Sequence, residues 1–165
     1  MPAPLTVPAL APADGEADDD NEDEYEDAES SMFDHERLDV YKVELEFVAW
    51  VTDLFEVISK APAATRSREV CDHLDRASLS ILFNTAEGNG KRQRQIRSKF
   101  FDDARGSATE CAAALDALVA KRLMTRERIL AGKELLERIV SMLTRLVQLY
   151  ESEKKVMEDS EGYEL

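Results

Sequence analysis

Apolar residues through the middle of this chain recur at threes and fours, the period of one face of an α-helix. Val70, Leu74, Ala77, Ile81, Asn84 and Gly88 follow one another in this way, and Ile96, Phe100, Ala104, Ser107, Cys111, Ala114 and Leu118 repeat the pattern. Between the two stripes stands Gly88-Asn89-Gly90. The spacing predicts two long helices, residues 66–88 and 91–121. Gly88 would end the first in a left-handed residue, and Gly90 would serve as a second permissive joint. So short a turn makes the two helices antiparallel neighbours.

Two further helices flank this pair. The first is expected from Asp34, as N-cap, to about Lys60, stopping before Pro62. It carries two apolar stripes about 200° apart: Leu38, Tyr41, Leu45, Val48 and Phe55, and Val40, Val43, Phe47, Trp50, Leu54 and Val57. No helix of a four-helix bundle is central, so one stripe should face a second subunit, and the stripe holding Val40, Val43, Phe47, Trp50 and Leu54 is assigned that role. The last helix begins after Thr125 as cap, with Ile129, Leu136, Ile139, Leu143, Leu146 and Tyr150 inward and fraying beyond Tyr150. Four long helices and short loops predict an all-α, antiparallel up-down-up-down four-helix bundle.

Charge divides the chain further. Of the net −14, residues 1–31 hold −11, with eleven acids and no Lys or Arg. Residues 151–165 hold −4 and the middle is close to neutral. The expected organisation is a disordered tail over 1–31, Pro/Ala-rich and then acidic; a bundle over 32–152; and a frayed acidic tail over 153–165. The acidic start is unlike a secretory or transit segment, and no stretch is long enough for a membrane span, so a cytoplasmic protein is expected. The acidic run is either a solubilising tail or a charge mimic that competes with polyanions for a basic surface.

That surface is Lys91, Arg92, Arg94, Arg97 and Lys99, with Arg105 further on. Cations in a first helical turn oppose the macrodipole, and such a local violation marks either function or a merely solvated face. Cations beside free N–H groups suit an anion such as a nucleic-acid phosphate. Asn84 is read as an internal cap or hydrogen bond near a helix end, or as a register-fixing buried amide. Cys71 and Cys111 are too few for a disulfide framework and read as small buried or half-buried residues. His35 and His73 do not follow a Glu by three, as a di-metal bundle site requires, and no phosphate loop or nucleophile motif is present. Neither catalytic residues, nor metal, nor cofactor is assigned.

Several segments carry a family resemblance: Leu38-Asp39-Val40-Tyr41; Arg76-Ala77-Ser78-Leu79-Ser80-Ile81; Asn84; Ala86-Glu87-Gly88-Asn89-Gly90-Lys91; Phe100-Phe101; Ala104-Arg105-Gly106-Ser107; and Glu110. On these, over roughly residues 33–150, the chain resembles the small four-helix proteins encoded in intervening sequences of bacterial large-subunit ribosomal RNA genes. Thr85 and Asp103 stand where aliphatic residues are usual in that family, and Arg97 where an aromatic is usual. Asp103 lies near the level of Arg76, so a local ion pair is one way to accommodate it. The resemblance implies a ring-like homo-oligomer, commonly a pentamer, with no established catalysis. The family is also similar in fold to the accessory protein of diversity-generating retroelements, which works beside a reverse transcriptase. By that analogy RNA, DNA or such a protein would be the partner. The signature is either structural, with Arg76, Glu87, Arg105 and Glu110 as an ion-pair network within the bundle and Ser78, Ser80, Gly106 and Ser107 as aids to close helix packing, or functional. The alternative to nucleic-acid contact is an assembly module whose acidic tail recruits a basic protein.

Overall fold

The computed structural model describes residues 33–60 and 64–161, without the side chains of 64–66 and 152–161. Four helices follow a single 3-10 turn at Asp34–Arg37: α1 Asp39–Ser59, α2 Ala64–Gly90, α3 Arg94–Ala120 and α4 Arg126–Glu161. Contacts between helices run in opposite directions along each neighbouring pair: Glu44 meets Thr85, Ser80 meets Ser107, and Arg94 reaches Leu149 while Lys133 reaches Asp116. The predicted up-down-up-down bundle is what the chain forms. Residues 1–31, expected to be disordered, lie outside the described residues.

The core follows the predicted stripes closely in α4, where Ile129, Leu136, Ile139 and Leu143 are buried. In α3 the stripe turns by about one residue. Phe101 is buried in place of Phe100, and Ile96 is 40% exposed. Cys111 is fully buried, Cys71 is half-buried, and both are free thiols.

In α1 the stripe assigned to a second subunit is instead largely inward. Val40, Val43, Phe47 and Leu54, assigned to a second subunit, are buried within the chain's own core, Phe47 completely. Truncating a Phe so placed typically costs about 3–5 kcal/mol. Polar replacement there would unfold the bundle rather than release a smaller folded species. Trp50 is likewise claimed internally. Its indole lies on α4 at Gly132, where an added Cβ would come within 2.3 Å of the ring. The reason is visible at Glu44, which shares the inward face: Val40, Glu44, Phe47, Val51, Leu54 and Ile58 form the true stripe. What α1 leaves outward includes Leu45, 46% exposed.

The helix ends also differ from expectation. Asp34 is not an α-helical cap; it opens the 3-10 turn, where the Glu36 carboxylate accepts the Phe33 N–H. Gly88 does not end α2, and no described glycine has positive φ. Its hydrogen side chain is needed because a Cβ there would meet Phe100 Cβ at 2.9 Å and crowd the Phe101 ring. Gly90 is simply the last residue of α2, with open space around it, so neither glycine acts as a conformational joint. The left-handed residue is Arg122, φ 59°, after α3. There the Arg122 N–H donates to Val119 O and the Leu123 N–H to Leu118 O, the paired bonds of a Schellman stop. At the other end of that connection Thr125 directly precedes α4. Glu127's carboxyl is held below its usual pKa by its own backbone N–H and then by the Thr125 hydroxyl. Helical backbone continues to Glu161 where fraying after Tyr150 was expected. Glu and Lys are good helix formers, and their arrival does not by itself stop a helix.

Candidate anion-binding end of the bundle

Antiparallel order brings the start of α1, the end of α2, the start of α3 and the Val147–Tyr150 turn of α4 to one end. Residues 91–93 form the α2–α3 connection, closed by a Lys91 N–H to Gly88 O bond of 3.1 Å. Arg97, on the first turn of α3, clamps it. Its Nε donates to Lys91 O at 3.0 Å, its Nη2 to Asn89 O at 2.8 Å and its Nη1 to the Tyr150 hydroxyl at 3.0 Å. Three bonds from one half-buried guanidinium tie two helices and their turn to a third, with a planar fork that a lysine lacks. Arg94 caps the same corner, donating to Leu149 O at 3.1 Å with its guanidinium 4.8 Å from the centre of the Tyr150 ring. Arg97 lies 5.1 Å from that ring, so Tyr150 is held by two cation–π contacts.

Of the predicted cations, Lys91, Arg94 and Arg97 come together, and they do not share one role. Arg97 and Arg94 are committed to the fold. Lys91 pairs with Glu87 at 2.8 Å and lies 5.0 Å over the Phe100 ring, while remaining partly exposed. Arg92 and Lys99 are exposed and have no ion-pair partner among the described residues. Arg105 stands apart, paired with Asp102 at 2.5 Å. The α3 N-terminus has Gln93 as N-cap without a side-chain bond and no acid in its first turn. Beside it, Gln95, Ser98, Lys99, Asp102, Tyr150 and Glu151 line a cleft of about 500 Å³. Two carboxylates in that lining make the cleft a poorer anion site than the turn above it.

The remaining signature residues are dispersed rather than networked. Glu110 approaches His73 at 3.8 Å, and Arg76 Nε bonds Asp72 O on its own helix at 3.2 Å. Asp103 is exposed, so an Arg76–Asp103 pair is not needed to accommodate it. Asn84 makes the local hydrogen bond near a helix end that is one of its two expected roles, and it is half-buried rather than a buried register amide. Its Nδ2 donates to Ser80 O at 2.9 Å and Ser80 Oγ at 3.1 Å, and the Ser80 and Ser107 hydroxyls bond across α2 and α3 at 2.9 Å. Ser78 is buried and donates to Asp75 O at 2.7 Å. Gly106 faces open space, so of the four small residues it is the one that does not serve packing.

A buried polar pair went unpredicted. Glu44 is 1% exposed, and its Oε1 accepts the Thr85 hydroxyl at 2.6 Å. Its Oε2 has no partner among the described residues. Burial pushes its carboxyl up to about pKa 8, opposed by the Thr85 bond. The signal was available: Thr85 stands out from an aliphatic position, and Glu44 falls in phase with Val40 and Phe47.

Among the described residues no group of three His, Cys, Asp or Glu side chains could hold a metal ion. No described helix is long and apolar enough to cross a membrane. Taken together, these features define a small all-α bundle whose distinguishing surface is a clamped, cation-bearing end. The chain belongs to the 23S rRNA-intervening sequence protein family, whose model matches residues 36–145. That span covers α1, α2, α3 and most of α4, and leaves both acidic ends outside. Comparison with curated proteins gave no match.

Proposed function

We propose that this protein is a non-catalytic, self-associating bundle that contacts nucleic-acid phosphates through the α2–α3 end. The observation that carries the reading is the Arg97 clamp. It fixes the backbone of the turn, which leaves Arg92 and the outer part of Lys91 exposed beside the start of α3, with the exposed Lys99 on the next turn of that helix. Such contacts position a backbone and carry little sequence information. A few cations per subunit make a weak site, and repetition around an oligomer supplies avidity. The surface for self-association is the outward side of α1 and α2, where Leu45 is 46% and Phe83 62% exposed.

The test is an anisotropy titration of a labelled single-stranded RNA at low salt. Arg92→Glu with Lys99→Glu should weaken binding at least tenfold while the melting temperature is unchanged, because neither side chain holds the fold together. Equal binding by the two proteins would refute the reading. The internal use of Arg94 and Arg97 favours a second reading, a protein-assembly module whose acidic tail recruits a basic partner. That reading predicts no RNA binding by either protein.

A further inference from the structure

Among the described residues the buried polar side chains are Glu44, Ser67, Ser78, Thr85 and Ser98, and Glu44 is the one acid or base of the set. It receives a single hydrogen bond, from the Thr85 hydroxyl at 2.6 Å, and its Oε2 has no partner. No cation answers it from the elements packed around it. From α2 the group presented to it is Thr85, and on α3 the one buried titratable side chain is the Cys111 thiol. On α4, Arg138 is more than half exposed and turns to Glu46 of α1 at 3.7 Å. At the 3-10 turn, His35 packs on the Tyr41 ring, and Tyr41 lies in the field of Glu36 and of Glu44 itself, both acids. A carboxylate at this place has no counter-charge, and burying an isolated one costs far more than keeping its proton. Thr85 already donates to Oε1, so the open position for that proton is Oε2.

Topology decides which part of the fold yields when the proton is lost. α3 packs extensively on both α2 and α4, whereas α2 and α4 do not pack on each other. α1 closes the remaining side through less extensive contacts with each of them. Removing α1 therefore leaves the α2–α3 and α3–α4 interfaces whole, while removing any other helix breaks at least one of these. Partial opening takes the unit with the fewest buried contacts, and Glu44 is carried by that unit. Once α1 is open the carboxyl reaches water and ionises freely. Burial holds it up to about pKa 8 in the closed bundle, against an ordinary 4.5. The closed form binds the extra proton, so its advantage is complete below the ordinary value and is lost as pH rises toward the raised one.

We propose that α1 is a proton-latched helix: with Glu44 protonated it closes the bundle, and with Glu44 ionised it swings away as a unit while α2, α3 and α4 stay packed. Opening uncovers core side chains that Phe47 and Val51, both fully buried, now cover. The latch does not depend on the phosphate-contacting reading of the α2–α3 end.

The experiment is hydrogen exchange of the full chain at pH 6.0 and pH 7.5, read by mass spectrometry and divided by the intrinsic exchange rates. Peptides from Val43–Ile58 of α1 are compared with peptides from Phe101–Leu118 of α3. Release of one proton changes an opening constant tenfold per pH unit, so opening of α1 should rise about thirtyfold between the two conditions. At both, α1 should exchange faster than α3, with a common opening constant along its length. Glu44→Gln should give α1 the same opening constant at both pH values. Thr85→Val, which keeps the buried carboxyl and removes only its donor, should open α1 more often at each pH and retain the thirtyfold rise. Equal protection of α1 and α3 would overturn the proposal by making the opening global. Wild-type or Thr85→Val opening that ignores pH, or a Glu44→Gln protein that keeps the rise, would overturn the role of Glu44.

Discussion

Glu44 carries the largest consequence of any single side chain. Its carboxyl is neutral in the folded bundle up to about pH 8, whereas an unfolded chain releases that proton near pH 4.5. Between those values the folded state binds the extra proton, so this group's contribution makes stability fall as pH rises. The slope is at most about 1.4 kcal/mol per pH unit. Urea titrations at pH 6 and pH 8 should show the wild type losing stability across this window. Glu44→Gln, which keeps the shape and cannot ionise, should flatten the dependence and be the more stable protein at pH 8. A wild type with the same stability at both values would contradict the neutral assignment. The same residue explains a misreading. With Glu44 passed over as polar, the inward stripe of α1 loses one of its registers, and Val40, Val43 and Phe47 look like a surplus face.

Among the elements, α1 and α4 meet through a size match that spacing alone cannot reveal. Trp50 is accommodated because α4 carries no side chain at Gly132. Gly132→Ala gains helix propensity worth about 1 kcal/mol on an exposed site. Here the methyl would have to enter the indole, and overpacking of this kind typically costs about 1–3 kcal/mol or more. Thermal unfolding should show a net loss despite the propensity gain; an increase in melting temperature would show that Trp50 moves aside freely. Local periodicity made the four helices, their order and most of α4's inward face legible. The ends were less so, because they depend on contacts between helices. Gly88 is dictated by Phe100 and Phe101 some twelve residues on, and the left-handed stop falls on Arg122 where no glycine advertises it. Lys91, Arg94 and Arg97 do lie at one corner of the bundle. Their division into clamp and exposed surface was hidden, since it requires Tyr150, Leu149 and Asn89 to be brought alongside.

At the level of the whole molecule, antiparallel topology gathers the start of α1, the cationic turn and the Val147–Tyr150 turn of α4 at one end, and exposed apolar side chains such as Leu45 and Phe83 remain on the surface. Leu45→Glu with Phe83→Glu should yield a smaller particle by sedimentation with unchanged helical content. A particle of unchanged size would place self-association elsewhere or remove it.

The most direct test of the cationic end is the salt dependence of RNA binding by the full chain. Single-strand binding through about three phosphates per site predicts a slope of roughly −2 in log K against log salt. Arg92→Glu with Lys99→Glu should bring the slope to about −1 or shallower. A slope that those substitutions leave untouched would contradict the account.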